Sequence, residues 1–261
     1  MTANTVCQNL SLRQETQFGY DSNYRDPQVQ LPSSENDRIQ RVRTIGTNPH
    51  YLRKGVQNWM SNDIPPILRD LPSELIGERV LLRPYRAGDG QALWEAVDES
   101  REHILPWMPW GDQHSSPRDS EALVRKWQAS WLLREDLALG VWERATGRYL
   151  GGSGLHRIDW EVPSFEIGYW LRRTAVGHGY MTETAWMLCR FAFEQLSAQR
   201  VFIRCGAGNH RSTAIPTRLG FVPEGRMRNA NRDTNGALYD MLVFGMTPED
   251  YAAALRQHPQ P

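Results

Sequence analysis

Lysine is nearly missing from this 261-residue chain: of 30 basic residues only Lys54 and Lys126 are lysines, and the others are arginines. We attribute that bias to a GC-rich coding sequence rather than to phosphate binding. Cysteine is scarce too. Cys7, Cys189 and Cys205 are an odd number with no C-x-x-C spacing, which excludes a disulfide framework or a cysteine zinc site and points to a reducing compartment. Net charge is absent, with 30 basic against 30 acidic residues, so neither nucleic acid nor an anionic membrane is expected as the main partner. No apolar run is long enough to span a bilayer, and "MTANTVCQNLSLRQETQFGY" at the start lacks a signal pattern; a cytoplasmic protein is expected. His156 and His178 have no partners at metal-ligand spacing, so no metal is expected.

What is present divides at about Asp70. Residues 1–70 are rich in Asn, Gln, Ser and Arg with no sustained period of 2 or 3.6, and should not fold alone. They read as a docking arm or as a stretch upstream of a true start at Met60, and we favour the second. Residues 71–261 carry the domain. "RVLLRPY" (Arg79 to Tyr85) is strand-like, Asp89 is a candidate N-cap for the helical "GDGQALWEAVDES", and Ser116 with Pro117 opens a helix that places Leu123, Trp127 and Trp131 on one face. "LALGVWER" and "RYLGGSGLHRI" are strands joined by a hairpin, and "FEIGYWL" lies beside them. A helix follows, then strand "RVFIRC", a short helix ending at Gly220, and closing strands including "ALYDMLVFGM". That order implies an α/β (α+β mixed) fold, a mixed sheet with helices on both faces.

Between "FEIGYWL" and its helix stand Gly177 and Gly179. Glycines there let backbone approach a ligand, and the first amides of the helix, lacking internal partners, suit a phosphate or diphosphate. A plain tight turn is the alternative. The chain has no G-x-x-x-x-G-K-[ST], and the residue three after Gly179 is Thr182, which breaks G-x-G-x-x-G; neither a P-loop nor a dinucleotide fold is indicated.

The run "FEIGYWLRRTAVGHGYMTETAWMLCRFAFEQLSAQRVFIRCGAGNHRSTAIPTRLGFVPEGRMR", together with "LPWMPW", the N-x-x-S to LGF segment and "LYDMLVFGM", resembles the GCN5-related N-acetyltransferases (GNAT). The likeness is greatest to the RimJ/RimL-type ribosomal-protein branch and extends over about Leu71 to Tyr251. It implies a splayed, mostly antiparallel sheet holding acetyl-CoA as co-substrate. Backbone donors of Gly177, His178, Gly179, Tyr180 and Met181 would cradle the diphosphate, with Tyr169, Trp170, Leu171, Val176, Thr182, Asn209 and Ser212 along the cofactor. Two residues depart from the family loop: Val176 replaces its usual Arg, Gln or Trp, and Met181 its usual small residue.

Acetyl transfer to an amine needs a neutral amine, a stabilised carbonyl oxygen and a proton for the leaving thiolate. Glu166 shares a strand face with Gly168 and Trp170 and is the candidate general base; a carboxylate paired with an arginine is the competing reading. Gly168 marks a candidate bulge with a freed amide. Asn209 is expected to cap the next helix, and Pro216 removes the amide that would have bonded the Ser212 carbonyl, loosening that helix. By the resemblance Ser212 lies near the sulfur and protonates the thiolate, Trp107 and Trp110 line the acceptor groove, and Tyr239 is a weaker substrate contact. The expected acceptor is a protein N-terminus or a small primary amine, with the enzyme a monomer or homodimer. A catalytically weak acyl-CoA sensor and a succinyl-type acyltransferase are the rival readings.

Overall fold

The strand-like runs assemble, in this computed structural model, into one eight-stranded sheet. The structure describes residues 64–257 apart from 109, 110 and 113; Trp110 and nearly all of the expected N-terminal extension therefore lie outside the described residues. The strands are β1 Leu75–Ile76, β2 Val80–Pro84, β3 Leu137–Glu143, β4 Tyr149–Asp159, β5 Ser164–Leu171, β6 Arg200–Gly206, β7 Val222–Arg232 and β8 Leu238–Met246. Their spatial order is β1-β2-β3-β4-β5-β6-β8-β7. All neighbours are antiparallel except β5 and β6, which run parallel. Among the described residues the helices are α1 Gly90–Ile104, α2 Pro117–Leu133, α3 Tyr180–Arg190, α4 His210–Arg218 and α5 Pro248–Gln257.

Alternation along the strands builds two cores. Phe165 and Ile167 of β5 join Met181, Ala185 and Leu188 of α3 and Tyr251 of α5 on one face. Trp170, of opposite parity, joins Ala138, Tyr149 and the α1 residues Leu93, Ala96 and Val97 on the other. A strand buries both faces only when each is covered, so the sheet carries helices on both sides. The mixed sheet with helices on both faces expected from the order of elements, mostly antiparallel as the resemblance implied, is the one observed.

Helix α2 starts as its sequence predicts: Pro117 opens it and the Ser116 hydroxyl accepts from the Asp119 amide at 3.2 Å. Helix α1 corrects the expectation. Asp89 occupies the N-cap position without making a cap bond. Its carboxylate is taken instead by Arg83 at 2.7 and 2.9 Å and by the Arg86 amide at 2.7 Å. The amides of Gly88 and Gly90 find Glu121 of α2 at 3.0 and 3.1 Å, so a residue from the neighbouring helix satisfies the donors that open α1. The two-residue β1, the π-helical turn Phe191–Gln195 after α3 and α5 had no separate signal in our reading.

The far end of α1 anchors the segment that feeds the glycine loop. Glu99 accepts from Arg172 through both Nε and Nη2, and from the Thr174 amide and hydroxyl. The Ser100 hydroxyl accepts from the Arg173 amide at 2.9 Å. These donors, Arg172 foremost, hold the Glu99 carboxyl down to about 2. Its folded pKa thus lies below the unfolded value of about 4.3. The stabilisation is complete above the unfolded value and lost as pH falls from about 4.5 towards about 2. Glu99→Gln should therefore be less stable than wild type near pH 7 and lose less further stability across that acid window, measured by urea unfolding; parallel pH profiles would contradict the assignment.

Candidate functional site

Strands β5 and β6 pair only where Ser164, Phe165 and Glu166 face Arg200, Val201 and Phe202. Beyond that, β5 continues to Leu171 against β4 while β6 continues to Gly206 against β8. The two strands part, and a cavity of about 980 Å³ lies beside the freed end of β5, lined by Tyr169 to Leu171, by the glycine loop and by the segment that follows β6. Gly168 corrects one expectation: it pairs with Gly154 in unbroken register, so no bulge forms there. Backbone of β5 is freed on its other edge, because the partner strand has turned away.

The glycine loop forms one wall of this cavity. Gly177 and Gly179 take φ of +89° and +79°, values that a side chain makes costly. Gly179 is the N-cap of α3, and no side chain caps that helix. The first bond in the turn runs from the Glu183 amide to the Gly179 carbonyl at 3.1 Å. Helix-opening amides are thus left as donors at the positive end of the dipole. The loop is braced from behind: Arg79 donates to the His178 carbonyl at 2.7 Å and to Glu183 at 2.9 Å, while Glu183 also accepts from the Arg79 amide at 2.8 Å. That bracing draws the His178 carbonyl towards a cation. His178 stacks on Tyr180, whose hydroxyl donates to Glu143 at 2.6 Å; neither side chain lines the cavity. Met181 does line it, yet its side chain is buried in the α3 core.

Helix α4 forms the opposite wall. The Asn209 carboxamide oxygen accepts from the Ser212 amide at 3.1 Å, the cap its sequence predicts. Ser212 faces the cavity with Asn209, as do Tyr169, Trp170 and Leu171 of β5 and Val176, Gly177, Gly179 and Thr182 of the loop. The Ser212 carbonyl, deprived of its helical donor by Pro216, accepts from the Tyr169 hydroxyl at 2.9 Å. The helix is therefore tied at this point, not left loose as the proline suggested. Burial pushes the Tyr169 phenol up, and burial also pushes the Cys205 thiol beside Ser212 up to about 11, opposed by the bond to Ser212.

Glu166, the candidate base, is found paired with arginine, the competing arrangement read from the sequence. Both carboxylate oxygens accept from Arg204, at 3.0 and 3.0 Å, and Arg157 adds a contact at 2.7 Å. It does not line the cavity. A carboxylate forked by one guanidinium and touched by a second has its lone pairs engaged in an ion pair. Trp107 lines the cavity. Tyr239 is placed behind it, its ring edge-on to Trp107 at 5.8 Å and its hydroxyl donating to the Trp107 carbonyl at 3.2 Å.

Three residues overlooked in the sequence stand at the cavity mouth. His103, Arg173 and Arg211 line an adjoining hollow of about 330 Å³ with Glu102 and Val176. Burial and the charges of Arg211 and Arg173 hold His103 below its ordinary value. Arg211, lying between Asn209 and Ser212, could have been suspected from its place in the N-x-x-S run. His103 and Arg173 carry no such local mark, because only the docking of α1 brings them there.

Residues 79–222 match the family model described as the acetyltransferase (GNAT) domain. "Putative ribosomal N-acetyltransferase YdaF" of Bacillus subtilis (strain 168) is 26% identical over 177 residues, which are 67% of this chain and 95% of that protein. A crystal structure titled "Probable acetyltransferase" superposes with a TM-score of 0.63 at 25% identity, over 68% of this chain and 98% of its own. RimL, a ribosomal L7/L12 alpha-N-protein acetyltransferase solved with coenzyme A, shares the fold with a TM-score of 0.62 at 18% identity, over 66% of this chain and 96% of its own.

Glu166→Gln should leave the acid limb of the pH–rate profile in place while lowering stability by about 1–3 kcal/mol, since Arg204 loses its charged partner; displacement of that limb would restore Glu166 as a base. Gly179→Val forces a β-branched residue to positive φ and sets its Cβ 3.2 Å from the Arg79 guanidinium. Its affinity for coenzyme A should fall by about tenfold or more in titration calorimetry, and equal affinity would show that the loop does not hold the ligand.

Proposed function

We propose, on the premise that the chain belongs to the GNAT acetyltransferase family and is an acyltransferase, that it transfers an acetyl group from acetyl-CoA to a protein N-terminal α-amine. The observation that carries the donor half of this reading is the uncapped start of α3 at the wall of an open cavity. Amides of residues 177 to 182 would hold the diphosphate, and Asn209 and the free edge of β5 would hold the pantetheine arm. The missing charge at Val176 is offset by Arg173 and Arg211, which share a hollow with it. Met181 turns into the core and does not crowd the amides, which weakens the case for a mere sensor.

Acetyl-CoA supplies an activated acetyl group; the remaining tasks fall to the protein. Backbone on the free edge of β5 is the candidate donor to the carbonyl oxygen. As the new C–N bond forms and the C–S bond breaks, the amine proton passes to water, the sulfur takes a proton from Ser212 Oγ, and water returns one to Ser212. Trp107, backed by Tyr239, offers an apolar wall to the acceptor. The acceptor class is supported by YdaF and RimL, whose names concern ribosomal acetylation, and by the pairing of the Glu166 carboxylate with Arg204, which suits an amine that loses its proton easily.

One observation favours a second reading. Arg173 and Arg211 at the mouth would also suit a carboxylate-tipped acyl group, as in succinyl-CoA. The experiment is turnover of acetyl-CoA and succinyl-CoA with two peptides, one with a free N-terminus and no lysine, the other N-terminally blocked with one lysine. Acetyl transfer to the first peptide alone is expected, read by mass spectrometry. Transfer to lysine alone would overturn the α-amine assignment, preference for succinyl-CoA would select the second reading, and coenzyme A binding without thiol release on any amine would leave a sensor.

A further inference from the structure

We propose that Tyr169 is a positioning residue that fixes Ser212 by taking the place of the backbone donor that Pro216 removes. The inference rests on the reading of Ser212 as proton donor to the leaving thiolate. In an uninterrupted helix the Ser212 carbonyl would accept from the amide of residue 216. Residue 216 is a proline inside α4 and has no amide hydrogen to give. Left alone, that carbonyl would lack its helical donor at a part-buried position, which is costly. Instead the Tyr169 hydroxyl crosses the cavity from β5 and donates to it at 2.9 Å.

The same phenol oxygen accepts from Ser212 Oγ at 3.3 Å, while the Ser212 amide donates to Asn209 at 3.1 Å. All three polar groups of Ser212 are therefore held, two of them by one side chain. Tyr169 can reach because β5 has lost its partner at this level: its ladder with β6 ends at Glu166. The proline and the tyrosine thus form a matched pair. A proline alone would leave the first turn of α4 slack, and a tyrosine facing an unbroken helix would add a bond to a carbonyl already served. Burial keeps the phenol protonated, so the bond persists across the working pH range. The Tyr169 proton is committed to the Ser212 carbonyl, while the Ser212 hydroxyl, whose 3.3 Å bond to the phenol is the longest of the three, is the group that can exchange its bond for one to sulfur.

Two double-mutant cycles test this. Tyr169→Phe should lower kcat by about tenfold with KM for acetyl-CoA and the coenzyme A Kd within about twofold of wild type. Added to Ser212→Ala, it should cause almost no further loss of kcat. Pro216→Ala supplies a backbone donor, so Tyr169→Phe made in that background should recover much of the lost kcat. In the ligand-free protein, Tyr169→Phe should lower Tm less in the Pro216→Ala background than in wild type, a readout independent of turnover. If Ser212→Ala keeps the wild-type kcat, the proton-donor reading fails. If Ser212→Ala loses kcat yet Tyr169→Phe costs as much in its presence as in its absence, or if Pro216→Ala gives no recovery in kcat and no coupling in Tm, that reading stands and the positioning role of Tyr169 is overturned.

Discussion

The ion pair between Glu166 and Arg204 sits where the parallel ladder of β5 and β6 ends, at the fork beyond which the two strands take separate partners. Phe202 is the last β6 residue paired with β5. Arg204, two residues on and on the same face by strand alternation, reaches back to Glu166 with two bonds of 3.0 Å. The pair ties the strands at the fork. Above it each strand keeps its outer neighbour, β4 for one and β8 for the other, so they diverge without leaving both edges unpaired. The Glu166 and Arg204 side chains are 12% and 24% exposed, which makes the pair more consequential than a surface contact, and removing either partner would strand a poorly solvated charge at the fork of the two strands.

The two walls above that fork achieve openness by different means. On the α3 side, backbone donors are kept vacant by glycines that remove side chains and by Arg79 and Glu183, which engage the loop from outside the cavity. On the α4 side the backbone is made incomplete by Pro216 and then repaired by a side chain from the facing strand. One wall offers donors to an anion; the other fixes a hydroxyl. Both depend on the separation of β5 and β6, because neither the loop amides nor the Tyr169 phenol would face open space if the ladder continued.

Which of these features could be read from the sequence follows from their range. The Ser116 and Asn209 caps, the proline in α4 and the strand, glycine loop and helix order are local, each set within a few residues. The partner of Glu166 lies 38 residues away in sequence, and identifying it requires the register of β6 against β5. Asp89 has the right residue type for a cap, but Arg83, six residues earlier, competes for its carboxylate, and Glu121, 31 residues from Gly90, makes the bond instead. The bulge expected at Gly168 was a local explanation for a freed edge that arises from the divergence of a whole strand. Arg79 carries no mark of its task because its ring of partners, His178 and Glu183, forms only when β2 lies beside α3.

The commitment of Glu166 to an arginine bears on the choice of amine. Near pH 7 about one α-amine in ten is neutral, given a reference pKa near 8, whereas only about one lysine in 2,500 is neutral with a pKa near 10.4. A site whose nearest strand carboxylate is held as a structural ion pair gives up the group best suited to strip a lysine. On the reading proposed above it would still serve an α-amine, for which water is an adequate proton acceptor. On that reading the ion pair at the fork and the chemistry of the cleft would be linked through one residue: the more firmly Glu166 holds Arg204, the less it would act on a substrate, and the more the acceptor would have to bring its own readiness to react.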